Sequence, residues 1–279
     1  MASRNFAATT KAIRTLLAKG RGQGQGAQYQ PWLTVRDVSS HGQVNRIRGH
    51  TTQRLHHFLS QLELKVFYAM DLAPAITDIR EQYPLLPVED TWAIAQACGI
   101  AHPVHPRTRE PIVLTTDFLL TKRTVLTEHM QARTVKYAKD LGSKRTLEKL
   151  EIERRYWMNR QTDWGILTEH EIPPALAKNL EWLHPFFDRE ALAPLSSDTI
   201  QHASQILTEG VTTKASPLRT VTSSCDTTLN LPAGTSLSIT RHLLATRQWI
   251  VDLAVLINPS QPLDLRQTAI THYHPLSTR

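Results

Sequence analysis

Two neighbouring segments made mostly of β-branched and apolar residues constrain the fold of this 279-residue chain more than any other feature. Residues 111–120 and 131–138 are predicted strands, and the connector between them favours a hairpin or meander. A helix is predicted over residues 145–160, and a short strand over 164–168 follows it. Together with a helix before the strands, this order predicts an α/β fold with a mixed sheet flanked by helices.

Composition indicates a folded, water-soluble chain with about two domains. Apolar residues make up 41% and charged residues 20% of the sequence, which excludes a disordered or collagen-like chain. The longest stretch without Asp, Glu, Lys or Arg, residues 91–106, contains Gln, His and Pro, so no membrane partner is expected. The two cysteines, Cys98 and Cys225, lie far apart and predict reduced thiols in a cytoplasmic protein.

The net charge of +7 is unevenly distributed along the chain. Residues 1–60 carry +8 and residues 121–160 carry +6, whereas residues 61–120 between them carry −4 and residues 161–279 carry −3. Basic segments attract polyphosphates, and an acidic segment between them is what a divalent cation would need. Solvated surface charge without a partner remains the alternative. The candidate DNA-binding residues are Arg46, Arg48, Arg54, Arg154 and Arg155.

Arg154 and Arg155 lie in the predicted helix over residues 145–160, where acids and bases also alternate at helical spacing. This face of the helix therefore predicts either contact with phosphates or a solvated row of ion pairs.

Glu63 interrupts the apolar pattern of a helix predicted over residues 54–72. It lies four residues after Leu59 and four before Phe67, so its carboxylate would project among apolar neighbours. Such an acid needs a partner. A boundary carboxylate paired with an arginine is the structural alternative to a catalytic role.

Asp117 and Lys136 are the charged residues that stand out within the predicted strands over residues 111–120 and 131–138. A charged group among buried neighbours usually either forms an ion pair or takes part in chemistry. A salt bridge between these two residues is the structural alternative. The order of Glu63 on a helix, Asp117 in a strand and Lys136 in the next strand matches a metal-dependent nuclease site, in which carboxylates hold one or two Mg²⁺ ions.

The second half of the chain predicts a smaller domain. We expect a first domain over residues 1–170, a second over 171–258 and a tail over 259–279. Predicted helices cover residues 171–182, 197–209 and 235–246, with Gly210 ending the second, and a strand is predicted over 249–257. Small helices followed by a strand suggest a winged-helix-like domain.

Longer segments make the nuclease hypothesis specific. They are the stretches Gly20-Arg-Gly-Gln-Gly, Tyr29-Gln-Pro-Trp-Leu-Thr-Val, His56-His-Phe-Leu-Ser-Gln-Leu-Glu-Leu, Asp78-Ile-Arg-Glu-Gln-Tyr-Pro-Leu-Leu, Thr116-Asp-Phe-Leu and Arg145-Thr-Leu-Glu-Lys-Leu-Glu-Ile-Glu-Arg-Arg-Tyr-Trp. From about residue 11 to 183 the chain resembles the TnsA family, the endonuclease subunit of heteromeric bacterial cut-and-paste transposases.

This resemblance implies a first domain like a restriction endonuclease and a winged-helix-like second domain. It implies cleavage of the 5′ ends of a transposon, while a TnsB-like transposase cuts the 3′ ends and joins them to target DNA. A TnsC-like AAA+ regulator is the other implied partner, contacted through the second domain. The catalytic residues carried over are Glu63, Asp117 and Lys136, with Mg²⁺, as two ions, as the cofactor and Mn²⁺ as a substitute.

One position departs from the family pattern. Where the family commonly has Gln or Glu two residues before the lysine, this chain has Thr134. The expected metal ligands are therefore Glu63, Asp117, the shorter hydroxyl of Thr134 and the backbone carbonyl of Val135. A catalytically weak or silent scaffold that bridges transposase and regulator on DNA is the main alternative, and a repair or Holliday-junction nuclease of the same fold is a third hypothesis.

Overall fold

A computed structural model of the protein describes residues 10–37, 45–213 and 215–268. The chain divides into two compact units, Met1–Ile172 and Pro173–Arg279. The division lies two residues after the expected boundary between residues 170 and 171.

The first unit contains a mixed sheet. Its strands are β3 (Ile76–Pro84), β4 (Thr115–Arg123), β5 (Glu128–Val135) and β6 (Asp163–Leu167), in spatial order β3-β4-β5-β6. β3, β4 and β5 pair antiparallel, whereas β6 runs parallel to β5. The predicted hairpin and mixed sheet are thus confirmed. A separate antiparallel pair consists of β1 (Asn45–Arg48) and β2 (Leu55–Phe58).

Helices accompany the strands of this unit: α1 (Thr10–Ala18), α2 (Gln61–Asp71), α3 (Val88–Ala97) and α4 (Lys144–Met158). α3 and α4 pack together against the sheet through a buried apolar cluster. Ile94 of α3, Leu119 of β4 and Ile152 of α4 are members of this cluster. This packing fixes α4 beside β4 and β5, the two strands that carry Asp117 and Thr134.

The prediction of a helix over residues 54–72 is wrong for its first residues. Leu55–Phe58 forms β2, and the helix begins only at Gln61, after the N-cap residue Ser60. Ser60 and Glu63 form a capping box, in which each side chain satisfies a backbone N–H at the start of the helix. Apolar spacing alone could not show this start.

The second unit is mainly helical in its described part. Its elements are α5 (Pro174–Leu183), α6 (Ser197–Thr213), α7 (Leu218–Thr228), α8 (Thr235–Ala245) and the two-residue strands β7 (Trp249–Ile250) and β8 (Gln267–Thr268). Gly210 lies inside α6 rather than ending it. A Cβ at Gly210 would lie 2.6 Å from Cγ1 of Val221, so the missing side chain allows α7 to pack closely.

The strand predicted over residues 249–257 is also much shorter in the structure. After Ile250 the backbone carbonyls of Leu253 and Val255 accept hydrogen bonds from the side chain of Asn179 on α5. A buried amide thus satisfies the backbone in place of a neighbouring strand.

The predicted tail is partly wrong. Leu263 and Leu265 pack against the core of the second unit, and β8 pairs with β7, so residues 259–268 belong to this unit. Residues 269–279 lie outside the described part of the chain. No helix in the described residues combines the length and hydropathy that a bilayer crossing requires.

Candidate active site

Glu63 is fixed by the first turn of α2. Its Oε1 accepts a hydrogen bond from the Ser60 hydroxyl at 2.9 Å, and its Oε2 accepts one from the Leu59 backbone N–H at 3.0 Å. The carboxylate is buried rather than exposed at the helix start. The local capping box therefore holds an acid in the protein interior through two uncharged donors.

Asp117 lies where the β4–β5 pairing ends. The backbone pairing of β4 with β5 ends at Phe118 and Arg133. Beyond this pair, the Val135 N–H donates to Oδ2 of Asp117 at 2.7 Å. The ammonium of Lys136 donates to the same oxygen at 2.9 Å. The anticipated salt bridge between Asp117 and Lys136 is therefore present, and the structure brings both residues together at one end of the sheet.

Lys136 is held in a charged state. Its Nζ donates to Oδ2 of Asp117 and to the Val135 carbonyl, the latter at 2.8 Å. Burial alone would lower the pKa of Lys136, but the charge and hydrogen bond of Asp117 outweigh burial and raise it. Its side chain keeps 34% of its exposure and lines the cavity described below.

Gln82 connects Glu63 with Asp117, which the sequence did not predict. Its Nε2 donates to Oε2 of Glu63 and to Oδ1 of Asp117, both at 3.4 Å. Thr115 donates in turn to Oε1 of Gln82 at 3.2 Å, which orients the amide. The backbone of Gln82 has a φ of +48°, an uncommon conformation for a residue with a side chain. This uncommon backbone conformation places the Gln82 amide between the carboxylates of Glu63 and Asp117.

Glu153 is a further acidic residue of the site that the sequence did not predict. It projects from α4, and its Oε1 accepts hydrogen bonds from the Thr116 hydroxyl at 2.7 Å and from Nε1 of Trp164 at 3.1 Å. The Thr134 hydroxyl donates to the same oxygen. Thr134 thus lies at the site but supports the carboxylate of Glu153, a different role from the predicted metal ligand.

Two of the three carboxylates have strongly raised pKa values. Burial, with repulsion from Asp117, raises the pKa of Glu63 to about 7. Burial also raises the pKa of Glu153 to about 7, where repulsion from Asp117 adds to the effect and the hydrogen bond from Thr134 opposes it. The charge of Lys136 does not compensate three acids. The site therefore has an excess of buried carboxylate oxygen, the ligand type that Mg²⁺ and Mn²⁺ prefer.

A cavity of about 590 Å³ opens onto part of this site, and Glu63 is not among the residues that line it. Asp117, Lys136 and Glu153 line it together with Lys139 and Lys149. Its walls thus combine carboxylates for a cation with ammonium groups for an anion. That combination suits a phosphodiester bound next to a divalent metal.

The structure contradicts the prediction that Arg54 contacts DNA. Its guanidinium is buried and donates to Oε1 of Glu81 at 2.8 Å, with a second bond to Oε2 of the same carboxylate. Nδ1 of His56 lies 2.8 Å from Oε2 of Glu81. Arg54 is therefore an internal counterion, which a sequence without tertiary contacts could not show.

The other arginines predicted to bind DNA lie at the surface. Arg46 and Arg48 are exposed on β1. Arg154 and Arg155 both pair with Glu151, at 2.7 and 2.6 Å, so the ion-pair alternative describes this face of α4 in the structure. Both pairs are partly exposed and could exchange Glu151 for phosphate.

Comparison with known proteins places the chain in a family. The TnsA-like endonuclease N-terminal family matches residues 73–169, and the TnsA endonuclease C-terminal family matches residues 171–253. The chain belongs to the TnsA endonuclease family. It is 45% identical over 195 residues to the transposon Tn7 transposition protein TnsA of Escherichia coli, which covers 70% of each chain. The resemblance deduced from the sequence is thereby confirmed.

Proposed function

We propose that this protein is the metal-dependent DNA endonuclease subunit of a transposase and hydrolyses the 5′ strand at each transposon end. The observation that carries the proposal is the convergence of Glu63, Asp117 and Glu153 with the ammonium of Lys136, in a chain of the TnsA endonuclease family. The fold that we propose for the first unit is that of a restriction endonuclease, whose mixed sheet carries acids and a lysine at one end.

The carboxylates fit a divalent cation. Asp117, Glu63 and Glu153 would supply the oxygen ligands of Mg²⁺, as one or two ions, with Mn²⁺ as a substitute. When bound, such an ion activates water and stabilises negative charge on the phosphate. The raised pKa values of the two glutamates support this assignment, because a cation compensates the repulsion that keeps protons on them.

Lys136 acts as a cation rather than as a base. Since Asp117 raises the pKa of Lys136, the ammonium keeps its proton at neutral pH and has no lone pair to accept one from water. It instead donates a hydrogen bond to a phosphate oxygen, where it stabilises the negative charge that develops during hydrolysis. Asp117 holds the ammonium in place for this contact.

Thr134 and Val135 support the ligands. The Thr134 hydroxyl orients Glu153, and the Val135 N–H orients Asp117. We therefore propose that Glu153 supplies the ligand oxygen that the family's common Gln or Glu would supply at position 134. The Val135 carbonyl accepts from Lys136 in this structure and is the backbone oxygen that could also face a metal.

The partners follow from the same proposal. DNA is the substrate, a TnsB-like transposase cuts the other strand, and a TnsC-like AAA+ regulator contacts the second unit, for which we propose a winged-helix-like fold. Arg46, Arg48, Arg154 and Arg155 are the proposed contacts to DNA phosphates. The reaction would take place on DNA in the bacterial cytoplasm.

The test is cleavage of transposon-end DNA labelled separately on each strand, with the cognate TnsB-like transposase and Mg²⁺. We expect wild type to cut the 5′ strand and Asp117→Ala to reduce this cut at least about 10³-fold, because the carboxylate that binds both the metal and Lys136 is lost. Cleavage of the 3′ strand by the transposase is the internal control. If wild type leaves the 5′ strand uncut while the 3′ strand is cut, the protein is a scaffold.

A further inference from the structure

A second cavity adjoins the active-site cavity and shares one wall with it. It measures about 750 Å³, and Lys149 of α4 lines both cavities. We call it the Trp92 groove and define it by Trp92, Val104, Arg109, Ile112, Arg145 and Lys149. Its size falls within the range of about 300–1,000 Å³ that is usual for ligand pockets.

The cationic side of the Trp92 groove continues from the active site. Arg109, Arg145 and Lys149 contribute three positive charges, of which Arg145 is paired with Glu148 at 2.8 Å. Burial lowers the pKa of Lys149, and the charges of Arg145 and Lys136 lower it further. Cations that repel one another in this way bind a polyanion favourably. A phosphate chain leaving the active site would meet Lys149 first and Arg145 next.

Apart from Glu148, which also lines it, the rest of the Trp92 groove is apolar and aromatic. Trp92 of α3 is half-buried, and its ring lies 5.4 Å from the ring of His102. Val104 and Ile112 add apolar surface to the same lining. An aromatic surface next to closely spaced cations is how proteins bind an unpaired nucleotide, with the base on the ring and the phosphates on the cations.

We propose that the Trp92 groove binds one unpaired nucleotide adjacent to the phosphate that is cut. The base packs against Trp92, and its flanking phosphates contact Lys149, Arg145 and Arg109. The inference rests on the proposed function, because that function places the phosphate to be cut in the neighbouring cavity. The nucleotide must be turned out of the base stack, and is therefore unpaired, since both faces of a base inside a duplex are covered by its stacked neighbours.

The test combines protein variants with abasic DNA. Transposon-end duplexes are prepared with a single abasic site at successive positions around the 5′-strand cleavage site. Equilibrium binding of full-length wild type, Trp92→Ala and Trp92→Phe is measured on each duplex without divalent metal. Thermal melting of each variant confirms that it is folded. Cleavage by wild type with Mg²⁺ and the cognate TnsB-like transposase is recorded in parallel, which tests the proposed function separately.

We expect one position at which the abasic site weakens binding of wild type about fivefold or more. Trp92→Ala should bind the intact duplex more weakly than wild type by the same factor, and an abasic site at that position should weaken its binding no further. Trp92→Phe keeps an aromatic face, so the abasic site should still weaken its binding. If the abasic site weakens the binding of Trp92→Ala by the same factor as that of wild type at every position, the two changes are independent and the inference is overturned. If this coupling is found but wild type does not cut, the proposed function fails and the nucleotide site stands.

A matched pair of charge variants tests the phosphate contacts. Lys149→Gln should reduce the slope of log binding constant against log salt concentration by about one on every duplex, because one fewer counterion is released on binding. Arg123→Gln removes an exposed charge on β4, outside both cavities, and should leave the slope unchanged. Equal slopes for wild type and Lys149→Gln would show that the groove does not follow the DNA backbone.

Discussion

Two groups of buried glutamates in the first unit differ in what surrounds their charge. Glu81 is fully buried, but His56 and Arg54 outweigh the effect of burial and lower its pKa to about 2. Glu63 and Glu153 are also buried, and burial together with a neighbouring acid raises both pKa values to about 7. The same side chain is thus a stabilising ion in one place and an unfavourable charge in the other.

This difference separates a structural site from a functional one. The Glu81 cluster holds its own counterions, so it contributes stability and needs nothing from outside. The candidate active site has one lysine for the three acids Glu63, Asp117 and Glu153, and their repulsion costs stability in the absence of a cation. Such costs persist in proteins where a function requires them. Buried negative charge without enough counterions, seen as raised pKa values, therefore marks the candidate active site, rather than burial itself.

The largest effect is expected from Glu81→Gln. This change leaves the guanidinium of Arg54 buried without its counterion, which should lower the free energy of unfolding by about 3–5 kcal/mol. Urea unfolding at neutral pH measures the loss. The matched control Glu128→Gln breaks an exposed pair with Arg123 and should cost under about 1 kcal/mol. Equal losses for both variants would contradict the role assigned to the Glu81 cluster.

Glu153→Gln should have the opposite effect and raise the free energy of unfolding. The folded protein keeps a proton on Glu153 up to about pH 7, whereas the unfolded chain loses it near pH 4.5. Stability without metal therefore falls as the pH rises from about 4.5 through 7. The glutamine variant avoids this loss, so its free energy of unfolding at pH 8 should exceed that of wild type by on the order of 2 kcal/mol.

The pH dependence provides the control for this prediction. Well below pH 4.5, Glu153 carries a proton in both states, so the advantage of Glu153→Gln over wild type should shrink towards zero. The same variant should lose 5′-strand cleavage. A variant that is less stable than wild type at pH 8 would show that Glu153 is a structural acid like Glu81.

The smallest effect is expected from Gln82→Gly. Glycine tolerates the positive φ of this position, so the change removes the amide between Glu63 and Asp117 without adding backbone strain. Loss of a group that orients metal ligands should reduce the cleavage rate about 10-fold, with little change in DNA binding. Gln82→Asn, which shortens the amide but also tolerates this conformation, is the comparison. A cleavage rate equal to that of wild type would show that the amide does not position the acids.

Part of the site could be predicted because it depends on local patterns. Asp117 and Lys136 are charged residues in apolar strands, and Glu63 is an acid beside apolar neighbours. The start of α2 was also within reach, since Ser60 followed by Glu63 is a capping-box pattern. The apolar periodicity through residues 55–59 concealed it and predicted helix where a strand lies.

Glu153 shows a signal that was present but not used. It lies three residues after Leu150 and four before Trp157, on the buried face of α4. That is the same spacing argument that singled out Glu63, but the many ion pairs of this helix made one more glutamate look like surface charge. The partners of Arg54 and the backbone of Gln82 had no such signal, because both depend on contacts between distant segments.

The central claim is that the carboxylates of the candidate active site bind a divalent cation that balances their charge, whereas the Glu81 cluster needs none. The most direct test is the free energy of unfolding of wild type between pH 5 and pH 8, measured with and without saturating Mg²⁺ or Mn²⁺. Without metal, stability should fall over this range, because the folded protein keeps the protons of Glu63 and Glu153 up to about pH 7 whereas the unfolded chain has already lost them. With metal, the fall should be abolished or reversed, because the cation binds the folded protein more tightly once the acids are charged. Identical pH profiles with and without metal would contradict the claim.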